Sequence, residues 1–123
     1  MKLLQGLKHL YINKKIDISE MFKNIYDIPE IGYTGEILED ILKYKNVAIK
    51  RIVSSAKLEK STFYQEEAEW VLLLEGSAEI MMGEKDYTLA KGDFLFIPPK
   101  LEHTIVTVEA GTIWLAIHIY EKE

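Results

Sequence analysis

From Val47 onward the chain is a succession of short apolar segments, each closed by a turn, and this punctuation excludes most folds. Val47, Ile49 and Val53 alternate with Ala48, Lys50 and Ser54, which is the two-residue period of a half-buried strand. Further strands are expected at 61–64, 69–74, 78–82, 86–89, 94–97, 104–108 and 112–120. Turn residues separate them at Glu75-Gly76, Gly83-Glu84, Lys91-Gly92-Asp93 and Ala110-Gly111. Many short strands at regular spacing build a sandwich or a closed barrel. Two of them, 70–74 and 113–119, are apolar on both faces, whereas a strand with one wet face should alternate. They need cover on the outer side, which the N-terminal residues and the second subunit of a homodimer are expected to supply.

Residues 1–45 carry helix signals instead. Asp17 and Ser19 can cap a short helix around 20–25, and Pro29 and Gly32 then break the chain. Thr34 can cap a second helix near 35–44, with Glu36 and Glu39 at its positive end and Ile37, Ile41 and Tyr44 on one face. The expected organisation is one domain over 1–123: a helical and extended cover (1–45) before a β-barrel (46–120).

Composition removes several function classes. With no cysteine there is neither a disulfide framework nor a thiolate metal site. A net charge of −5 without a basic, aromatic-interleaved face argues against nucleic-acid binding. The longest apolar runs are far too short to span a bilayer, and Gln5, Lys8 and His9 interrupt any signal-peptide core, so a cytoplasmic location with no membrane partner is expected. There is no Gly-rich phosphate loop, no nucleophile elbow and no His-Glu-x-x-His, which leaves nucleophilic hydrolysis without candidates.

One stretch joins a turn, a strand, a rigid corner and a histidine: residues 92–103, Gly-Asp-Phe-Leu-Phe-Ile-Pro-Pro-Lys-Leu-Glu-His. Gly92 permits the positive φ of a tight turn, and Pro98 and Pro99, lacking N–H donors, end the strand before His103. Gly92, Pro98 and His103 hold the spacing of the second cupin motif, from which the chain departs at Lys100 (Gly in the family) and Thr107 (Asn). Glu69 and Gly76 hold the spacing of the first motif, whose two histidine positions read Phe63 and Gln65 and whose opening glycine reads Lys57. Over roughly 47–120 the chain thus resembles the cupin superfamily, and within it small single-domain bacterial cupins of unassigned function. The resemblance implies an all-β fold, a double-stranded β-helix or jelly-roll barrel, here preceded by a short N-terminal helical segment.

The same resemblance implies a divalent metal held by two His, one Glu and a third His. Carried over, those positions offer Gln65, Glu69 and His103, with Phe63 in the fourth place. Imidazole and carboxylate suit Zn, Fe, Mn or Ni, and an amide oxygen is a weak ligand, so the cofactor is one such ion or none. A metal-free pocket, with Gln65, Glu69 and His103 hydrogen-bonded to one another, satisfies the same residues. His118 alternates with Trp114, Ala116 and Tyr120 on the last strand and faces either the pocket or a subunit interface. Tyr64, Trp70 and Trp114 line an apolar site or belong to plain core. Glu66 and Glu67 read as a solvated loop edge. The candidate pocket is therefore Tyr64, Gln65, Glu69, His103, Trp114 and His118. Three functions fit: a small-molecule-binding cupin with a degenerate metal site; a metal-dependent oxygenase, isomerase or lyase retaining His103 and Glu69; and a dimeric regulatory or interaction module.

Overall fold

The computed structural model describes residues 23–28, 36–54 and 60–122. The chain divides into two compact units, Met1–Ile31 and Gly32–Glu123. The described part of the first is a turn built on Asn24, whose side-chain oxygen accepts the Tyr26 amide (2.8 Å) and whose carbonyl accepts the Asp27 amide (3.0 Å). Of the helix expected around 20–25, residues 20–22 lie outside the described residues, and 23–25 are not helical.

The described residues of the second unit form nine strands: β1 (Glu36–Tyr44), β2 (Val47–Ser54), β3 (Ser61–Phe63), β4 (Ala68–Glu75), β5 (Ser77–Met82), β6 (Lys85–Ala90), β7 (Phe94–Ile97), β8 (His103–Val108) and β9 (Ile113–Ile119). They form a five-stranded sheet in the order β1-β2-β9-β4-β7 and a four-stranded sheet in the order β3-β8-β5-β6. Every pairing is antiparallel. The core lies between the sheets: Val71 and Leu73 of β4, Ile97 of β7 and Trp114 of β9 pack against Ala78 and Ile80 of β5 and Leu89 of β6. Full burial of such side chains stabilises the fold by roughly 1.5–3 kcal/mol each. Among the described residues no buried side-chain polar atom lacks a partner, and no helix is long and apolar enough to cross a membrane.

The expectation of a helix over 35–44 is corrected: residues 36–44 are β1, an edge strand paired along β2, and the described residues contain no helix. The cause is a β-bulge. Ile37 and Glu39 face Val53 and Arg51, the register shifts between Asp40 and Leu42, and Leu42 and Tyr44 then face Ile49 and Val47. The extra residue breaks the two-residue period, leaving Ile37, Ile41 and Tyr44 at intervals that mimic a helix. Capping signals and helical spacing lost to a sheet edge that needed a partner.

Two contacts lock the end of the sandwich away from His103. Thr112 is wholly buried; its hydroxyl donates to the Glu109 carbonyl at 2.6 Å. A Cβ on Gly76, where φ is +92°, would stand 2.8 Å from the Thr112 Cα, so glycine is required for both its conformation and its size. Beside it, the Trp114 indole donates to Ser54 Oγ (3.3 Å) and Ser54 Oγ donates to Glu36 Oε2 (3.3 Å). Burial pushes the Glu36 carboxyl above its ordinary range, and the Ser54 hydrogen bond partly offsets this.

That shift has a defined sign. A carboxyl raised in the folded state contributes stability below its unfolded pKa of 4.5, and the contribution is lost as pH rises through the folded value. Glu36→Gln keeps an acceptor for Ser54 and removes the half-buried charge. The variant should melt higher than wild type at neutral pH and no higher at pH below 4.5; an unchanged or lower melting temperature at neutral pH would refute this account.

Candidate functional site

Antiparallel pairing aligns one row of residues across all five strands of the larger sheet: Lys43, Ala48, His118, Glu69 and Ile97. Directly opposed residues project to the same face. Ala48 and Ile97 are buried at 4% and 2% exposure, so the row faces the sheet partner, and Glu69 and His118 face it too. Glu69 begins β4 and His118 ends β9, which puts both at one end of the sandwich.

Here four polar groups meet. His118 Nδ1 lies 2.9 Å from Glu67 Oε2, and because a carboxylate only accepts, Nδ1 carries the hydrogen. His118 Nε2 stands 3.8 Å from Glu69 Oε2. The Gln65 amide donates to Glu69 Oε1 at 3.0 Å. Tyr120 stacks on His118, ring centroids 6.5 Å apart. Its phenol is held above its ordinary value first by burial, then by the Glu67 carboxylate and a hydrogen bond to it, then by Asp40 and Glu69. Asn46 anchors Tyr120, donating from Nδ2 to its carbonyl (3.0 Å) and accepting its amide (2.8 Å).

His103 stands on the opposing sheet. It begins β8 opposite Met82 of β5, two residues from Ile105, which faces the buried Ile80, so it lies on the inward face. Its Nδ1 lies 3.2 Å from the Leu101 carbonyl, an acceptor only, which places a hydrogen on Nδ1. The ring stacks on Phe63, centroids 5.7 Å apart. The corner before it is tight: Lys100 takes a left-handed φ of +59°, where the cupin motif has glycine, and its amide donates to the Gln65 carbonyl at 2.9 Å. One bond thus ties the Pro98–Pro99 corner to the loop that carries Gln65.

Of the residues singled out from the sequence, the fold brings together Gln65, Glu69 and His118. His103 faces the same interior from the other sheet and makes no hydrogen bond to them. Tyr64 is exposed, and Trp114 lies in the core at the far end, bonded to Ser54. Glu67 and Tyr120 were missed. Glu66 is indeed solvated, 3.9 Å from Lys100, but Glu67 is largely shielded and bonded to His118. Glu67 lies in the bend before β4, where strand alternation does not apply, so the sequence carried no signal that set it apart from Glu66.

As a metal site the donor set fits poorly. One imidazole remains at the four inherited positions, Phe63 fills another, and the Glu69 oxygens are engaged by Gln65 and faced by His118. Among the described residues no group of three or more His, Asp or Glu side chains is arranged to hold an ion. A depression of about 430 Å³ elsewhere is lined by residues including Tyr87, Asp93 and Phe94, and none of the cluster residues borders it.

A family profile described as a cupin domain matches residues 57–118, half of the chain. A candidate mannose-6-phosphate isomerase from Ralstonia eutropha JMP134 is similar in structure, with TM-score 0.73 and 26% identity over 80% of this chain and 97% of that one. A conserved protein of unknown function from Streptococcus pyogenes gives TM-score 0.71 and 16% identity, covering 88% and 93%. A cupin superfamily protein from Desulfitobacterium hafniense DCB-2 gives 0.65 and 20%, covering 76% and 84%. No curated protein matches the sequence.

The Glu67–Tyr120 contact is testable by titration. In Glu67→Gln the leading electrostatic causes of the Tyr120 shift disappear, and its phenol should ionise closer to 10. The phenolate absorbance of each protein, minus that of its Tyr120→Phe counterpart, isolates this residue; an unmoved midpoint would mean that Glu67 does not act on it.

Proposed function

Because this chain belongs to the cupin domain family, we propose that it binds a small organic molecule at the end of the sandwich where Gln65, Glu69, His103 and His118 face inward, and that its inherited metal site is degenerate. The observation that carries this reading is the state of Glu69. In a metal-binding cupin this carboxylate is a ligand; here Gln65 donates to one oxygen at 3.0 Å and His118 stands 3.8 Å from the other. A buried carboxylate needs partners, and here side chains supply them. What is left for a ligand is a polar wall at the rim of an apolar core, the usual composition of a small-molecule site.

A metal-dependent isomerase, lyase or oxygenase is the second reading. Ligating histidines usually donate their other ring N–H to a carbonyl or carboxylate, as His103 does to Leu101, and the Ralstonia relative bears an isomerase's name. In that reading His103 and Glu69 would hold the ion, which would polarise a substrate carbonyl or activate oxygen.

Elemental analysis of protein purified without chelators separates the two. Substoichiometric metal, with melting-temperature shifts from a metabolite panel that vanish in His103→Ala, is the expected result. One tightly held ion per chain, lost in His103→Ala, would replace the first reading with the second.

The outer face of the larger sheet supports a homodimer. Trp70 opposes Phe96 and Ile117, Leu72 opposes Phe94 and Leu115, and all project away from the core. Phe94 and Phe96 are 65% and 51% exposed, an apolar patch of the kind that marks an interface. Sedimentation at micromolar concentration should give a dimer for the wild type and a folded monomer for Phe94→Asp/Phe96→Asp; a monomeric wild type rejects the assembly.

A further inference from the structure

The two sheets end in four edge strands, β1 and β7 of the larger sheet and β3 and β6 of the smaller. An edge strand offers unpaired N–H and C=O groups to any other chain, and folded proteins blunt such edges with charges, bulges or short length. Three of the four are blunted. β1 carries Glu36, Glu39, Asp40 and Lys43, and its register breaks between Asp40 and Leu42. β3 is three residues long. β6 opens on the exposed charges Lys85 and Asp86. β7 has none of these devices. Phe94, Leu95, Phe96 and Ile97 include no charge and no proline, and their register along β4 is unbroken.

The hydrogen bonding of β7 makes its free edge complementary to itself. Just before the strand, the Asp93 carbonyl accepts the Leu73 amide at 2.9 Å. Bonded pairs alternate along an antiparallel ladder, so Leu95 and Ile97, opposite Val71 and Glu69, turn their backbone groups to β4. The N–H and C=O of Phe94 and Phe96 point the other way, and among the described residues nothing bonds them. Two copies of β7 running antiparallel about a two-fold axis at Leu95 set Phe94 of one opposite Phe96 of the other. Each donor then meets an acceptor, the self-matching contact that a symmetric dimer requires. The same register lays the exposed rings side by side on the outward face, where Phe94 already meets Trp70 with ring centroids 5.4 Å apart.

We infer that β7 pairs with the β7 of a second copy of this chain, joining two five-stranded sheets edge to edge into one continuous sheet. The inference rests on the homodimer reading above and gives that dimer its geometry. Although the chain carries a net charge of −5, β7 against β7 opposes no like charges. Pairing β7 with any other edge of the chain would leave a further β7 free to add another copy, whereas β7 on β7 closes the assembly.

Amide exchange read by NMR on the full-length protein, below and above the dimerisation midpoint found by sedimentation, tests this. The Phe94 and Phe96 amides gain partners in the dimer and should exchange there about tenfold or more slowly than in the monomer. Asp86 and Thr88, on the edge of β6, should not change. Two variants supply an independent arm. Phe96→Ala removes the ring and keeps the N–H; Phe96→Pro removes both, and proline is tolerated where an edge-strand N–H faces outward. The alanine variant should dimerise more weakly than wild type, and the proline variant about tenfold or more weakly again, having lost a bond on each side of the axis. A wild-type dimer whose Phe94 and Phe96 amides exchange at the monomer's rate overturns edge pairing, as do alanine and proline variants that dimerise equally, and both results leave the homodimer reading in place. A monomeric wild type overturns both.

Discussion

The site depends on the placement of β9 between β2 and β4. This central strand is bonded on both sides, and its register sets Trp114 opposite Leu73 and Ile52, and His118 opposite Glu69 and Ala48. The first pairing closes the core, and the second brings an imidazole to a buried carboxylate. A slip of one residue would send Trp114 and His118 outward together. The hydrophobic demand of Trp114, which is 3% exposed, thus holds the polar cluster in place from four residues away.

The loss of the two first-motif imidazoles is accompanied by a rearrangement of who satisfies whom. Glu69 sits against an apolar neighbourhood of Ile97 and Ala48, where an unpartnered carboxylate would be costly. Gln65 donates to it and His118 stands beside it, and Glu67 and Tyr120 contact His118 in turn. His103 keeps its motif position, after a corner in which Lys100 takes the left-handed backbone at a place where the motif has glycine.

Most of the fold was legible because it is written in a short-range code. Turn residues at Gly76, Gly83, Gly92 and Gly111 all take positive φ, and the strands between them fall within one or two residues of their expected bounds. The error lay at β1, where a bulge at Ile41 spoils the alternation on which strand recognition rests. Candidate site residues were legible in part. Gln65, Glu69 and His103 stand at motif positions and face the interior end of the sandwich, but Glu67 was read as a solvated neighbour of Glu66, because sequence cannot distinguish two adjacent glutamates by the side of the chain they leave.

By itself the sequence determined the strand order in the chain, the turns, the absence of thiolate chemistry, and the depletion of imidazole at the inherited metal positions. These are local properties of residue type and spacing. The tertiary structure alone decided that His118 rather than His103 partners Glu69. Both faces of the last strand are apolar, so its periodicity carries no orientation; the direction comes from cross-strand register, where burying Trp114 against Leu73 forces His118 to the same side.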